Sequence, residues 1–432
     1  MAVRGHQAPS AAALVARLAR RELTAEALVL GLLERIAARE PEVRAWACID
    51  RAQVLDAARV LDRGAIRGPL HGLPVGVKDV FDTHDLPTEY GSPIYAGHRP
   101  RADAAVVALT RHAGGLILGK TVTTEFATFP PGGTRNPHNL AHTPGGSSSG
   151  SAAAVADAMV PLAFGTQTVG STIRPASFCG VTGYKPTYGL LPTVGIKAIS
   201  YCLDTVGMFA PSVEDLALFA AVLSGRPLTV PAQGTQPRVG LCLTPQWPNA
   251  QAEVQKLFSG LGAALEKAGA HVTDFSLPAP YEKMHDAQAL IWDYEVARCL
   301  ADEYLRHREL IREPLRTQLG RGLTLPIAEY EAALKLARDG RRQFADVLGE
   351  FDVLVVPSSH GEAPEGLAST GLPTFNRTWS LLHTPCVHVP HGRGPSGLPI
   401  GFQVLGRIGD DARVLASAHR LQTGLDSEQA DS

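Results

Sequence analysis

The amino-acid sequence predicts an α/β protein, because helical patterns alternate with short apolar strands along most of the chain. Strand-like residues 238–243, a helical pattern at 251–268 and a second strand at 271–277 make one β-α-β unit. An Ala-rich helical segment at 150–159 is followed by a short apolar strand in the same way. The chain has 432 residues, of which 45% are hydrophobic and 19% are charged, which is enough apolar material for the core of a large α/β enzyme.

The N-terminal part, residues 1–70, is predicted to consist of helices that pack on the core. Thr24 is the expected N-cap of one helix, since apolar residues follow it at helical spacing. Pro41 is expected to end that helix. A further helix and a turn then lead into an apolar strand that ends at Lys78.

The predicted α/β core occupies residues 71–278 and 349–432 of one domain that spans 1–432. Ser212 and Asp215 form an acidic capping box, and the helix that they open stops before Gly225. Further elements of the core are a helix at 103–113, strands at 116–118, 351–356, 386–389 and 398–405, and a closing helix at 411–421. Residues 279–348 form a mostly helical excursion, a cap that is either a lid over the substrate or a packed helical layer.

Two glycine-rich loops carry serines that are 24 residues apart, Ser147 in GGSSSGS and Ser171 in QTVGSTIRP. Glycine beside a serine lets the backbone turn sharply and brings a hydroxyl and bare N–H groups close to a ligand. A serine hydroxyl is a poor nucleophile until a base takes its proton, and this region contains no histidine. The pair of loops therefore indicates a site whose base comes from elsewhere in the chain.

Lys78, at the end of the strand in GLPVGVKD, is the candidate base. Lysine acts as a base only when neutral, so burial must lower its pKa by roughly 3 units, a cost of about 4–5 kcal/mol. A lysine at the end of a buried strand meets that condition.

These motifs resemble the amidase signature family of serine hydrolases over nearly the whole chain. The matching segments are GLPVGVKD at 72–79, ILGKT at 117–121, PGGSSSGSAAAVA at 144–156, GSTIRPASFCGVTGYKPTYG at 170–189, DVLVVPS at 352–358 and GLPIGFQVLG at 397–406. The resemblance implies a single α/β/α layered domain with a large mixed twisted sheet and a helical cap. It also implies a Ser-cisSer-Lys triad in place of a Ser-His-Asp triad.

By that resemblance, Ser171 is the nucleophile, Ser147 is the bridging serine on a cis peptide after Gly146, and Lys78 is the base. The oxyanion hole would be formed by the N–H groups of Thr168, Val169, Gly170 and Ser171, and losing one such donor costs roughly 3–4 kcal/mol of transition-state stabilisation. Ser148 is expected to be a structural or supporting donor.

The sequence departs from the family at the nucleophile loop, which commonly reads GTDTGGSIR. Gln167 replaces the acid, Ile173 replaces the arginine, and Val169 replaces the first glycine of the pair. The joint loss of both charges indicates a neutral hydrogen bond in place of an ion pair. Arg174, one position later, is expected to support the oxyanion loop.

Aromatic and apolar residues in the surrounding loops are the predicted substrate pocket. They are Tyr95, Phe126, Phe129, Pro131 and Trp379. With no cluster of lysine or arginine nearby, such a pocket favours a neutral, partly hydrophobic acyl or aryl group.

Three other signals have alternative readings. GGLILGKT at 114–121 matches the phosphate-loop pattern, but its apolar middle favours a buried strand. Cys179 is expected to be a buried structural thiol rather than a second nucleophile. His383, His388 and His391 lack the carboxylate or cysteine partners of a zinc site, so no metal is predicted there.

Composition narrows the partners. A net charge of −2 does not favour nucleic acid, and no apolar run is long enough to span a membrane or has the form of a signal peptide. The six cysteines have no CxxC spacing, which favours reduced thiols in the cytoplasm. A monomer or homodimer that acts on a small molecule without a cofactor is expected.

The predicted function is hydrolysis of a carboxylic amide through a Ser171 acyl-enzyme. Carbamate (urethane) or ester hydrolysis by the same triad is the nearest alternative. The glutaminase subunit of a tRNA-dependent amidotransferase and an NTP-binding protein are further alternatives.

Overall fold

The computed structural model of the protein describes residues 9–230 and 236–431. Residues 1–8, which the sequence analysis placed in the N-terminal helical part, lie outside the described residues. Of the helices that are described, none combines the length and hydropathy needed to cross a bilayer.

The described residues build one mixed sheet of eleven strands, in the order β1-β3-β2-β4-β6-β5-β10-β11-β9-β7-β8. The strands are β1 Trp46–Cys48, β2 Pro74–Lys78, β3 Leu116–Thr121, β4 Leu162–Gln167, β5 Thr182–Lys185, β6 Thr205–Ala210, β7 Arg238–Cys242, β8 His271–Phe275, β9 Val353–Pro357, β10 Cys386–Arg393 and β11 Pro399–Leu405. Strand β2 is parallel to β3 and β4, whereas β4 and β5 both pair antiparallel to β6. The large mixed sheet that the sequence predicts is confirmed.

Helices cover the sheet and give the α/β/α layering. They are α1 Ala11–Ala19, α2 Ala25–Val43, α3 Arg51–Arg63, α4 Ala105–His112, α5 Ser149–Ala156, α6 Ile173–Cys179, α7 Val213–Ser224, α8 Ala252–Lys267, α9 Met284–Cys299, α10 Ala301–Arg306, α11 Leu315–Thr324, α12 Ile327–Leu348, α13 Arg377–Leu381 and α14 Asp411–Asp431. Helices α5 and α6 pack on the central strands, as do α7 and α14. Helices α9–α12 occupy the predicted helical excursion.

The central strands are buried along their whole length. Every residue of β2, β3 and β4 is buried, which explains their near-continuous apolar sequences. Because β2 and β4 are parallel neighbours, their carboxyl ends lie side by side, with Val77 beside Phe164. Lys78 and the loop after Gln167 are therefore brought together at one edge of the sheet, the place where α/β proteins commonly bind ligands.

Helix α2 corrects one expectation. The helix continues through Pro41 to Val43 and ends at Arg44, which is in the left-handed conformation. Proline removes only one N–H donor, and the Arg44 N–H still bonds to the Glu40 carbonyl, so the last turn stays closed. The expected N-cap is confirmed, since the Thr24 side chain accepts the Ala27 N–H.

The predicted helix at 150–159 is shorter than expected. Helix α5 ends at Ala156, and Ala158 has a φ of 54°. Helix α14 differs in the other direction, because it runs well beyond residue 421.

The capping box at the start of α7 is only half formed. The Ser212 side chain accepts the Asp215 N–H, but the Asp215 carboxylate accepts the Ser10 hydroxyl and the Ala12 N–H instead of turning back to Ser212. Asp215 thus joins α7 to the first turn of α1.

The phosphate-loop match is a strand, as its apolar middle indicated. Residues 116–121 form β3, and the Lys120 amine is buried 3.0 Å from the Asp79 carboxylate. A lysine enclosed in this way offers nothing to a nucleotide, so the NTP-binding alternative is wrong.

Candidate active site

Lys78, the last residue of β2, is fully buried and is held among hydroxyl groups. Its Nζ donates hydrogen bonds to Ser147 Oγ and to Thr166 Oγ1, each at 2.7 Å. Burial lowers the pKa of Lys78 well below its ordinary value, and the charge of Asp204 acts in the opposite direction. The site therefore favours the neutral amine that a base requires.

The loop that presents Ser147 has the geometry that the resemblance implies. Gly145 has a φ of 82°, and the peptide bond from Gly146 to Ser147 is cis. The Ser147 carbonyl accepts the Thr124 N–H at 3.2 Å. A Cβ on Gly146 would lie only 2.6 Å from the Thr370 methyl carbon, so the loop has no room for a side chain there.

Ser148 supports this loop rather than facing a substrate. Its hydroxyl accepts the Thr166 N–H and donates to the Thr166 carbonyl, both at 3.3 Å. The supporting role predicted for Ser148 thus takes the form of a tie between the Ser147 loop and the end of β4.

The loop of Ser171 links β4 to α6, and Gln167 braces it. Gln167 Oε1 accepts the N–H groups of Thr172 and Ile173 at 2.9 and 3.0 Å. Its Nε2 donates to Ser380 Oγ at 3.1 Å, and Ser380 Oγ in turn donates to the Val169 carbonyl at 2.8 Å. The neutral hydrogen bond expected at this position is present, with backbone N–H groups as its partners.

The four consecutive N–H groups from Thr168 to Ser171 point to an anion site. Outside the strands and helices, the described hydrogen bonds include none donated by these four amides. The loop is nearly closed off, since Ser171 is 8% exposed and Val169 is 6% exposed. Successive unpaired N–H groups in a turn form a concavity suited to a developing negative charge.

The hydroxyl of Ser171 makes no hydrogen bond to another described residue. The link from Lys78 to Ser147 is thus formed, whereas the link from Ser147 to Ser171 that a relay needs is not among the described hydrogen bonds.

Arg174 corrects an expectation, because it supports the Ser147 loop and not the oxyanion loop. Its Nη2 donates to the Gly146 carbonyl at 2.6 Å and to Thr370 Oγ1 at 3.2 Å. Burial lowers the pKa of Arg174 to about 9. Arg174 lies on α6 just after Ser171, so it joins the two serine loops.

A cavity of about 210 Å³ lies beside the oxyanion loop. Its wall includes Thr166, Thr168 and a segment that runs from residue 196 to residue 201, here called the pocket segment. The wall carries two charged side chains, Lys197 and Asp204.

The helical excursion is fastened to this wall by buried side chains of α9 and α10. Gln288 Nε2 donates to the Thr168 carbonyl at 3.3 Å. Glu295 accepts the Ser200 hydroxyl, and Glu303 pairs with Lys197. These contacts favour the packed helical layer over the lid.

The five predicted pocket residues are not part of the cavity wall. Tyr95 donates its hydroxyl to Glu303 at 2.6 Å, and its ring lies edge-on to the buried ring of Phe126. Phe129 packs edge-on against Trp292. The Pro131 carbonyl accepts from Arg312. The structure places Trp379 in the core, where it packs against Phe344 at 6.2 Å between ring centroids.

The other residues singled out from the sequence have structural partners. Burial raises the pKa of the Cys179 thiol, which donates to the Pro144 carbonyl. The His383 ring contacts the Cys202 carbonyl, and the His388 ring bonds to Ser358. All six cysteines are free thiols.

Sequence reasoning missed Asp204, which precedes β6 in the segment CLDTVG. Its Oδ1 accepts the Thr168 hydroxyl at 2.5 Å, and its Oδ2 accepts the N–H groups of Ile199 and Ser200 at 2.9 and 3.0 Å. Burial raises the pKa of Asp204 to about 6. The one available signal was an acidic residue next to a strand as apolar as β6.

The sequence model of the Amidase family matches residues 27–415. The chain belongs to the amidase family. Among curated relatives of this family member, a glutamyl-tRNA(Gln) amidotransferase subunit from Chloroflexus aggregans is 33% identical over 464 aligned residues, which cover 92% of each chain.

Solved structures agree with this assignment. A crystal structure of an amidase superposes with a TM-score of 0.87 and 30% identity, over 96% of this chain and 99% of that chain. The native peptide amidase of Stenotrophomonas maltophilia superposes with a TM-score of 0.81 and 29% identity, over 96% of each chain. The amidase signature fold expected from the motifs is thereby confirmed.

Proposed function

We propose that this amidase-family hydrolase cleaves a carboxylic amide through an acyl-enzyme on Ser171, with Ser147 as proton relay and Lys78 as base. The observation that carries the proposal is the buried Lys78 amine, 2.7 Å from Ser147 Oγ, next to a loop with four unpaired N–H groups.

The reaction starts when Ser171 Oγ attacks the substrate carbonyl. Its proton passes to Ser147 while Ser147 gives its own proton to Lys78, which becomes an ammonium. The carbonyl oxygen gains negative charge and is held by the N–H groups of the Ser171 loop.

The C–N bond then breaks as Ser147 protonates the leaving nitrogen and recovers a proton from Lys78. Water attacks the acyl-enzyme through the same relay, and the carboxylic acid leaves. The closure of the Ser147–Ser171 contact upon substrate binding is part of the proposal, since catalytic hydrogen bonds often tighten only in the complex.

A neutral, partly hydrophobic or aryl amide suits the cavity. The two charged side chains of its wall are already engaged, because Lys197 pairs with Glu303 and Asp204 accepts three hydrogen bonds. Tyr188, Ile196 and Tyr201 supply apolar surface. Such a wall offers little to a free carboxylate or ammonium group.

Carbamate and ester hydrolysis use the same chemistry and differ only in the leaving group. A glutaminase function in an amidotransferase is a second candidate, favoured by the curated relatives that are described as glutamyl-tRNA(Gln) amidotransferase subunits. That function requires partner subunits, so the isolated chain would show weak glutaminase activity.

The experiment combines covalent labelling with a substrate panel. Intact-protein mass spectrometry after treatment with a small sulfonyl fluoride should show one adduct that maps to Ser171. The panel contains a p-nitroanilide, an anilide, an ester, an aryl carbamate and free glutamine, and we expect the neutral anilides to be turned over fastest.

Ser171→Ala should lose the adduct and the activity. Ser177→Ala is the matched control, since Ser177 lies on the same helix α6 but bonds only to Ser359. An adduct elsewhere, or full activity in Ser171→Ala, would show that the nucleophile is wrong. Faster turnover of glutamine than of the anilides would instead favour the glutaminase.

A further inference from the structure

Asp204 lies directly across from the start of the oxyanion loop. Strands β4 and β6 are antiparallel, and Gln167 is the register partner of Thr205. The residues one step beyond that pair are Thr168 and Asp204, and their side chains are joined at 2.5 Å. The register of the sheet itself therefore sets this contact.

The same carboxylate holds two structures that face the cavity. One oxygen accepts the hydroxyl of Thr168, whose N–H belongs to the oxyanion loop. The other oxygen accepts the N–H groups of Ile199 and Ser200 in the pocket segment. Loss of the carboxylate would release both parts of the cavity wall at once.

Asp204 also lies on the side of the sheet that carries the base. Lys78 donates to Thr166, and Asp204 accepts from Thr168, two residues further along the same strand direction. Side chains at i and i+2 of a strand point to the same face. The negative carboxylate and the buried amine are thus near neighbours, and the charge of Asp204 favours the protonated form of Lys78.

Other titratable groups surround this carboxylate. Those that interact with it electrostatically, from the elements packed around it, are Lys78 on β2, Glu295 and Cys299 on α9, and Tyr188 in the loop after β5. Glu295 has its own partners, since it accepts the hydroxyls of Ser200 and Tyr330. Among the four, Lys78 is the group of opposite charge.

We propose that Asp204 is a positioning residue of the hydrolysis, which fixes the Thr168 end of the oxyanion loop and balances the charge of Lys78 when Lys78 holds the proton from the serines. This role rests on the function proposed above. It gives the cavity wall a part in catalysis in addition to substrate binding.

The test is a pair of variants that separate the hydrogen bond from the charge. Asp204→Asn keeps the shape but removes the charge, and we expect kcat to fall by about 10–100-fold with little change in KM. Because the charge that supports the Lys78 ammonium is gone, the rise of kcat/KM with pH should move to lower pH. Thr168→Val removes only the hydrogen bond, so it should lower kcat and leave that pH limb in place.

Two further variants serve as controls. Thr168→Ser restores the hydroxyl and should recover kcat, which keeps the hydrogen-bond arm testable even if Asp204→Asn folds poorly. Asp215→Asn makes the same chemical change in a carboxylate that joins α1 and α7, far along the chain from the site, and should leave kcat and the pH limb unchanged.

Sulfonyl fluoride labelling of Ser171 separates the two possible failures. If the wild-type protein is labelled at Ser171 and Asp204→Asn has wild-type kcat and an unshifted pH limb, the role of Asp204 is refuted and the acyl-enzyme stands. If the wild-type Ser171 is not labelled, the proposed function fails, and the role of Asp204 fails with it.

Discussion

Replacing Gln167 with leucine should both destabilise the protein and slow catalysis. The leucine fills similar space but strands the N–H groups of Thr172 and Ile173, which Gln167 Oε1 accepts at 2.9 and 3.0 Å in a fully buried position. A buried donor left without a partner costs about 1–3 kcal/mol, so the two together should lower the free energy of unfolding by about 2–6 kcal/mol.

The catalytic effect follows from the position of Ser171 in the loop that Gln167 braces. With the start of α6 and the Ser380 contact released, the Ser171 hydroxyl and its neighbouring N–H groups lose their alignment. A displacement of about 1 Å at a reacting centre can cost about 100-fold in rate. We therefore expect a loss of that order in kcat at a temperature where the variant is folded.

Urea denaturation and steady-state kinetics on the best substrate of the panel give the two readouts. Gln167→Glu keeps both acceptor bonds and loses only the donation to Ser380, so its losses should be smaller than those of the leucine variant. Gln318→Leu is the matched control, because Gln318 is buried on α11 and its amide donates to Asp293, away from the site. If Gln167→Leu has wild-type stability and kcat, this side chain does not hold the nucleophile loop.

Three further predictions follow from the contacts of the site. Alanine at Lys78, Ser147 or Ser171 should each lower kcat by several orders of magnitude, and the double variants should lose little more, because the three residues act as one unit; additive losses would contradict the relay. Labelling of Ser171 should speed up with pH to a midpoint well below 10.5, since burial lowers the pKa of Lys78; a midpoint near 10.5 would show that the base is exposed. Glu303→Gln should leave the Lys197 ammonium unneutralised at the cavity wall and so lower KM for a substrate that carries a carboxylate; an unchanged KM would place Lys197 out of reach of the substrate.

The catalytic loops were predictable because their signals are local. Glycine and serine in close sequence dictate the turns at Ser147 and Ser171, and an apolar run with a terminal lysine dictates a buried strand end at Lys78. The alternation of helices and strands was sufficient to predict the α/β class.

The cavity wall was not predictable in this way, because long-range contacts decide which side chains face it. Phe126 has a φ of 48° and is fully buried, while its neighbour Ala127 lines the cavity. Glu303 reaches Lys197 across 106 positions of sequence. No short pattern records such a pairing, and an aromatic residue in a loop reads the same whether it faces a substrate or the core.

The order of the strands has a consequence for synthesis of the chain. Strand β5 pairs on one side with β6, close in sequence, but its other edge is completed by β10, about 200 residues later. At ribosomal rates of about 5–20 residues per second, that edge stays open for about 10–40 s. An apolar strand edge with free N–H and C=O groups is a template for pairing with other chains. The nascent protein therefore passes through a long interval in which a holding chaperone would compete directly with aggregation.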